Sequence, residues 1–500
     1  MSTSQDPRAR SDERLTQTGH PDGEDSHDKG EGFVRVLGNV DALFIGFGAM
    51  IGFGWITLTG GWLQSAGTAG ALLAFVCGGL IMSFVGVVYS ELVAAMPHAG
   101  GEHNYLLRAV GPRVSLLGSW AMAGGYISVV MFEAVAIPRA LLYIFPDLAQ
   151  IRLWSVAGDD IYLTWALIGT VTALILMGIN IRGIKLAGMV QTFVVSFLLL
   201  MMVFLLAGGA VGGDVAHTQP LFNGGVAGLI SVLAAVPFLF VGFDVIPQSA
   251  EEIKVPAKQI GKLVVMSVIM AVGFYLVVIF CTSLALPASD LAEHNLVTAD
   301  ALAALMGGAV WGKVVIAGGI AGIVTSWIAF LMGSSRLLWA MARSGMIPPV
   351  FGKLHPKYRT PVNALLFIGA LSAVAPYFGD AMMGWVVDAG SPMIVLAYGL
   401  VGMAFVILRR KEPDLERPLR VGGKGPLGPI FGIIATSLCA VLFLLYVPEL
   451  TPVSVTLEWP SYAMFGAWML VGLVMMARLP GGIPGGPHAE DELLKRLGRR

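Results

Sequence analysis

The chain has little charge: Asp, Glu, Lys and Arg make up 13% of its 500 residues and cancel to a net −1. No basic field is present to hold a phosphate backbone, which excludes nucleic-acid binding as a function class. Cysteine is nearly absent as well. Cys77, Cys281 and Cys439 are odd in number, far apart and each set in an apolar run. That excludes a disulfide framework or a cysteine metal site and leaves them as small core residues. His98 and His103, with Glu102 between them, have neither HExxH spacing nor a cysteine pair, and read as part of a solvated loop. The glycines at 46, 48 and 52 miss GxGxxG by one residue and follow no strand, so no nucleotide fingerprint is present. No cofactor and no metal are expected.

What the chain has in excess is apolar length. Hydrophobic residues make up 56% of it and the mean hydropathy is +0.78, so the solvent for most of the polypeptide is a lipid bilayer. Twelve apolar stretches begin near Ala42, Gly70, Val114, Ile161, Leu186, Val226, Leu263, Gly307, Val362, Met382, Pro429 and Tyr462. Each approaches or exceeds the ~20 residues a helix needs to cross a membrane. They are continuously apolar instead of alternating, which excludes a β-barrel and makes the fold class all-α and polytopic. Residues 1–35 and 480–500 are polar and are expected as tails, the first of them disordered. Lys and Arg crowd the loops after the even-numbered spans, from Arg108 and Arg113 to the Arg409–Lys424 segment. The opposite side offers only Arg139, Arg152 and Lys313, an asymmetry that puts both termini in the cytoplasm of a cell-membrane protein.

Two of the spans are too irregular to be plain crossings. The first reads GFGAMIGFGW, with Gly46, Gly48, Gly52 and Gly54 inside ten residues, although a glycine costs about 1 kcal/mol relative to alanine in a helix interior. Helix packing through the Gly48/Gly52 pair would explain this span taken alone. The sixth span is interrupted too, in PFLFVGFDVIPQSAEE, by Pro237, Gly242 and Pro247. Breaks in the first and sixth spans fall at matching positions of two five-helix halves, the sequence sign of inverted repeats with a site where the helices unwind. Half-helix N-termini there attract a carboxylate, and freed carbonyls hold an ammonium or a cation. A zwitterion suits such a pocket.

Four segments, GAMIGFGW, YSELVAAMPHAGGEHNYLLRAVGP, VGFDVIPQSAEEIKVPAKQI and GSSRLLWAMARSGMIP, occur in this order between about Val36 and Arg478. Together they resemble the amino acid, polyamine and organocation permease superfamily. The resemblance implies a 5+5 inverted repeat plus two C-terminal helices, divided here at about 36–210, 222–408 and 427–478. It implies that the backbone of Ile51, Gly52, Phe53 and Gly54 meets a substrate carboxylate, that Phe240, Val241 and Gly242 lie near its amine, and that Phe238 closes over it from outside. Many members carry a small polar residue where this chain has Phe53, whose ring therefore narrows the pocket or points out of it.

Ionisable groups at membrane depth are functional hypotheses by default. Glu133, in VVMFEAVAIP, either contacts a substrate ammonium or carries a proton, or else forms a structural pair near the outer surface. Asp244 follows the sixth-span break, where the family often has an acidic residue implicated in gating or proton movement; the alternative is capping of freed amides. Arg336 is placed to snorkel or to close an inner gate with Glu91 or Glu251. No His, Lys or Arg lies between Met189 and Leu206 of the fifth span. Thr325 and Ser326 could instead join the carbonyls of Gly48 and Ile51 around Na⁺, so the coupling ion, H⁺ or Na⁺, stays open. The expected function is secondary active transport of an amino acid, with a polyamine or ethanolamine-type amine as the alternative cargo and a non-transporting nutrient sensor as the alternative class. No nucleophile, base or metal cluster gathers at one depth as an enzyme would need.

Overall fold

The computed structural model describes residues 33–479 apart from 453 and 456, so the expected tails lie almost entirely outside the described residues. Eleven helices in it are long and apolar enough to cross a membrane, and Val362–Phe378 is a shorter apolar twelfth, its last turn tightened to a 3₁₀ helix. The spans in order are Asn39–Thr57, Thr59–Ala95, Pro112–Ile144, Leu163–Arg182, Ile184–Gly212, Gly225–Gln248, Ala257–Ala285, Ala309–Arg343, Val362–Val374, Ala381–Lys411, Leu427–Leu445 and Trp459–Ala477. The fold is thus all-α, with one addition: Arg152–Val156 and Asp159–Tyr162 pair as an antiparallel hairpin between the third and fourth spans. Its turn carries Ala157 and Gly158, both at positive φ.

Depth of burial sorts the spans. In the most apolar stretch of the eighth span 72% of residues are buried, against 28% for the eleventh and 11% for the twelfth, so the last two lie on the outside and the broken helices sit within. The first span runs as a helix from Asn39 to Met50, unwinds at Ile51–Phe53, and resumes at Gly54. Helical backbone continues to Ala66, where Gly67 at φ +74 ends it against Pro220 and Leu221. Those two residues supply carbonyls to the Thr68 and Ala69 amides, which begin the part of Thr59–Ala95 that follows the kink. The sixth span mirrors this: helix from Gly225 to Phe240, an unwound stretch to Asp244, then a short turn of helix over Val245–Gln248.

Both described ends lie on one face. Phe33 packs edge-on against Trp339 at the end of the eighth span, and Arg113 donates to the Leu479 carbonyl. The segment before the first span runs beside the one after the sixth: Leu37 bridges Ile253, and Lys254 N–H donates to the Leu37 carbonyl at 2.9 Å. The two broken helices are therefore tied together on the face that carries the termini.

Candidate functional site at the helix breaks

The two breaks touch. Gly242 lies at φ +135 with a Cβ position only 2.6 Å from Ala49 Cβ and 2.9 Å from Met50 N, so a side chain there would enter the first span. Gly54 in turn receives Leu239, and Gly46 receives Ile246. On the other flank the eighth span comes close at Gly322, where an added Cβ would sit 2.8 Å from the Ile51 carbonyl oxygen and 2.5 Å from that of Gly52. Glycine at 242 and 322 is what lets three backbones meet.

Freed main-chain groups at this depth need partners. At the sixth-span break they have them. Asp244 Oδ1 accepts from Gly242 N–H at 2.9 Å and Oδ2 accepts from the Tyr126 hydroxyl at 2.7 Å. The Tyr275 hydroxyl, from the seventh span, donates to the Met50 carbonyl at 2.8 Å and leans toward that of Leu239 at 3.4 Å, linking both breaks. Asp244 caps the break, and it is wholly buried.

At the first-span break the polar groups are less settled. Glu133 is 1% exposed, and its carboxyl group faces Gly52, the Phe53 amide and the Ser326 hydroxyl. A Cβ on Gly52 would collide with Glu133 Oε1 and come within 3.1 Å of Ser326 Oγ. Glu133 Oε2 and Ser326 Oγ have no hydrogen-bond partner among the described residues. Arg139, a turn and a half away in sequence, pairs with Asp380 at 3.1 Å, so Glu133 is not in a structural pair with it. Thr325 donates to the Gly48 and Gly322 carbonyls at 3.1 and 2.9 Å.

The remaining expected residues divide between backbone and side-chain roles. The Phe53 ring is buried, its edge against Gly319 of the eighth span. Phe238 packs edge-on against Phe132, next to Glu133, while the Phe240 ring lies against Phe75 and Tyr275. Val241 is buried beside it, at the start of the unwound stretch. Three contributors were not anticipated: Tyr126, Tyr275 and Gln191. Gln191 is fully buried beside Gly48, its amide donating to the Phe44 carbonyl at 3.3 Å and its oxygen unpartnered among the described residues. A lone amide inside an apolar run was the available signal.

Two readings of the face that carries the termini are corrected. Arg336 pairs with neither Glu91 nor Glu251; it grips Glu252 through two bonds of 2.8 Å, while Glu91 is held by Arg409 and Arg417. Glu252 lies on the 3₁₀ turn that follows the broken sixth span, which carries its carboxylate under the eighth span. The His98–His103 segment is not a solvated loop either. Glu102 and His103 open a helix, Glu102–Val110, packed under the third and tenth spans, and both are wholly buried. Ser344 and Ser115 hold the His103 ring at 2.6 and 3.1 Å, and burial pushes its pKa down to about 3.

Similarity to known proteins agrees with this arrangement. The family model described as amino acid permease matches residues 37–474. The branched-chain amino acid permease BcaP of Bacillus subtilis (strain 168) is 27% identical over 454 residues, covering 88% of this chain and 92% of the relative. The methylthioribose transporter of the same organism is 25% identical over 455 residues, 89% of this chain and 94% of the relative. Its glutamate/serine transporter AimA is 28% identical over 419 residues, 80% and 76% of the two chains. With a family match across nearly every span and two touching helix breaks at its centre, this chain belongs to the amino acid permease family of membrane transporters.

Proposed function

We propose that this permease takes up a neutral, zwitterionic amino acid across the cytoplasmic membrane by alternating access, its termini in the cytoplasm. The observation that carries the reading is the pair of unspent polar groups, Glu133 Oε2 and Ser326 Oγ, flanking the unwound backbone at Gly52. The substrate carboxylate docks on the amides of Gly52, Phe53 and Gly54 at the start of the resumed helix. Its ammonium turns to the carbonyls of Phe240–Gly242 and to Glu133. Phe238 and Phe132 form the apolar wall that a side chain such as that of leucine would meet. The two repeats, about 36–210 and 222–408, rock about this point, while the last two helices stay outside the moving pair.

Uptake is coupled to an inward cation gradient, H⁺ or Na⁺. Gly48 O, Ile51 O, Thr325 and Ser326 are the groups that would take Na⁺, and Asp244 and Glu133 are those that would take a proton. The test is radiolabelled leucine uptake into proteoliposomes with H⁺ and Na⁺ gradients imposed separately, in competition with glutamate, lysine, putrescine and methylthioribose. Competition by neutral amino acids is expected. Inhibition by putrescine with none by any amino acid would overturn the zwitterion reading, and tight leucine binding without counterflow would make the protein a sensor.

A further inference from the structure

Beneath the sixth-span break, toward the face that carries the termini, a second group of buried polar atoms stands apart from the substrate site. Glu102 opens the helix after the second span and is fully enclosed. Its Oε2 accepts from Gln248 Nε2 at 2.6 Å, and Gln248 ends the short helix that begins after Asp244. A single chain turn thus connects the two carboxylates. Around them stand Tyr89 and Tyr105, ring centroids 6.1 Å apart, and Tyr398, 5.8 Å from Tyr89. Glu102 Oε1, Gln248 Oε1 and the hydroxyls of Tyr89 and Tyr105 have no hydrogen-bond partner among the described residues, although all are buried. Unspent donors beside unspent acceptors in an enclosed polar space are the setting in which internal water is held.

No Lys, Arg or His hydrogen-bonds to Glu102 or Asp244 among the described residues. The basic side chains on this face are committed elsewhere: Arg336 to Glu252, Arg409 and Arg417 to Glu91, and Arg108 to Glu412, while the His98 ring lies against Glu251. The His103 ring, next in sequence, is held by serines. Burial first, and the field of Asp244 second, hold the Glu102 carboxyl well above the usual carboxylate range. Two carboxylates in each other's field without a cation cannot both be ionised cheaply, so they bind protons as a pair.

Resting on the transport reading above, and requiring the proton of its two ions, we propose that Glu102 is a second proton-binding site. It shares a proton with Asp244 through Gln248, the Tyr89 and Tyr105 hydroxyls and enclosed water. In the closed state Glu102 is a neutral acid. When the pathway opens to the face that carries the termini, water reaches it, the O–H bond breaks, the proton leaves as hydronium, and the carboxylate keeps the bond from Gln248. A glutamate lying outside the spans thereby couples cargo release to proton release.

Two measurements on the full chain test this. Infrared spectra of the purified protein should show a carboxylic-acid C=O band at neutral pH that vanishes in Glu102→Gln. An unchanged band overturns the proposal whatever the cargo is. In proteoliposomes, Glu102→Gln should keep leucine counterflow yet lose leucine accumulation driven by a pH gradient by about tenfold. Equal accumulation by both proteins overturns it. If the wild type moves no leucine at all, the transport reading fails while the infrared result still decides Glu102. Should Glu102→Gln not insert, Gln248→Leu removes the side-chain donor to the carboxylate and should move the band's titration to higher pH; an unmoved titration overturns the assignment.

Discussion

The two breaks at the centre of this permease do the same thing to the backbone and differ in the side chains set around them. At the sixth span, Asp244 takes the Gly242 amide and the Tyr126 hydroxyl, and Tyr275 ties the Met50 carbonyl across the gap. At the first span, Glu133 and Ser326 surround Gly52 and each keeps an unpartnered oxygen among the described residues. At one break the protein's own side chains take up the freed groups. At the other, two side-chain oxygens stay without a partner among the described residues, the feature on which the proposed docking point rests. A binding site in a helical bundle gains most when only one of its walls has to be satisfied by the guest, because an unmade buried hydrogen bond costs ~1–3 kcal/mol in the empty state.

Substitutions can break this contrast or sharpen it. The largest effect is expected from Gly52→Leu, whose side chain would occupy the space of Glu133 Oε1 and Ser326 Oγ. Leucine uptake, normalised to inserted protein, should fall by about 100-fold, or ~2.8 kcal/mol at 1.4 kcal/mol per decade. Uptake at the wild-type rate would mean that the first break is not the docking point. Asp244→Asn replaces a charged acceptor by a neutral one, a loss of ~1.5–3 kcal/mol from the sixth break. Transport should slow by about tenfold while the leucine Kd changes less than about threefold; a matching fall in both would make the breaks equivalent in binding.

Smaller changes follow at the seams. Tyr275→Phe removes the hydroxyl that bridges the breaks and should lower stability in detergent by ~1 kcal/mol, seen as a drop in Tm. An unchanged Tm would place the linkage elsewhere. Gln191→Leu replaces a buried amide whose oxygen is unpartnered among the described residues, and should leave Tm unchanged or raise stability by up to ~1 kcal/mol. A large loss of uptake in that variant would instead show that the amide serves the first break through Gly48.

Much of this architecture was legible because lipid allows so few answers. Continuous apolar runs become helices, and Gly52 and Gly242 inside such runs mark where the helices stop, whereas Pro237 and Pro247, expected to interrupt the sixth span, both lie within helical segments on either side of the break. The partners of the freed groups were harder to read, since Tyr126, Tyr275 and Gln191 come from the third, seventh and fifth spans and sit in apolar stretches that look like ordinary crossings. Arg336 shows the same limit: Glu91, Glu251 and Glu252 are equally plausible partners along the chain, and only the 3₁₀ turn after Gln248 selects Glu252. Polarity misled at Glu102 and His103. A charged residue beside glycines in a connection usually faces water, but here the connection folds into a helix under the bundle.

The sequence by itself determined that the chain crosses a membrane as helices and that two of them are interrupted, because both follow from backbone hydrogen bonding in hydrocarbon and from the limits of glycine and proline. Tertiary structure alone decided which side chains reach the freed groups and which polar side-chain atoms around them are left without a partner among the described residues. That outcome depends on distances between spans far apart in the chain, and no local pattern of residues encodes them.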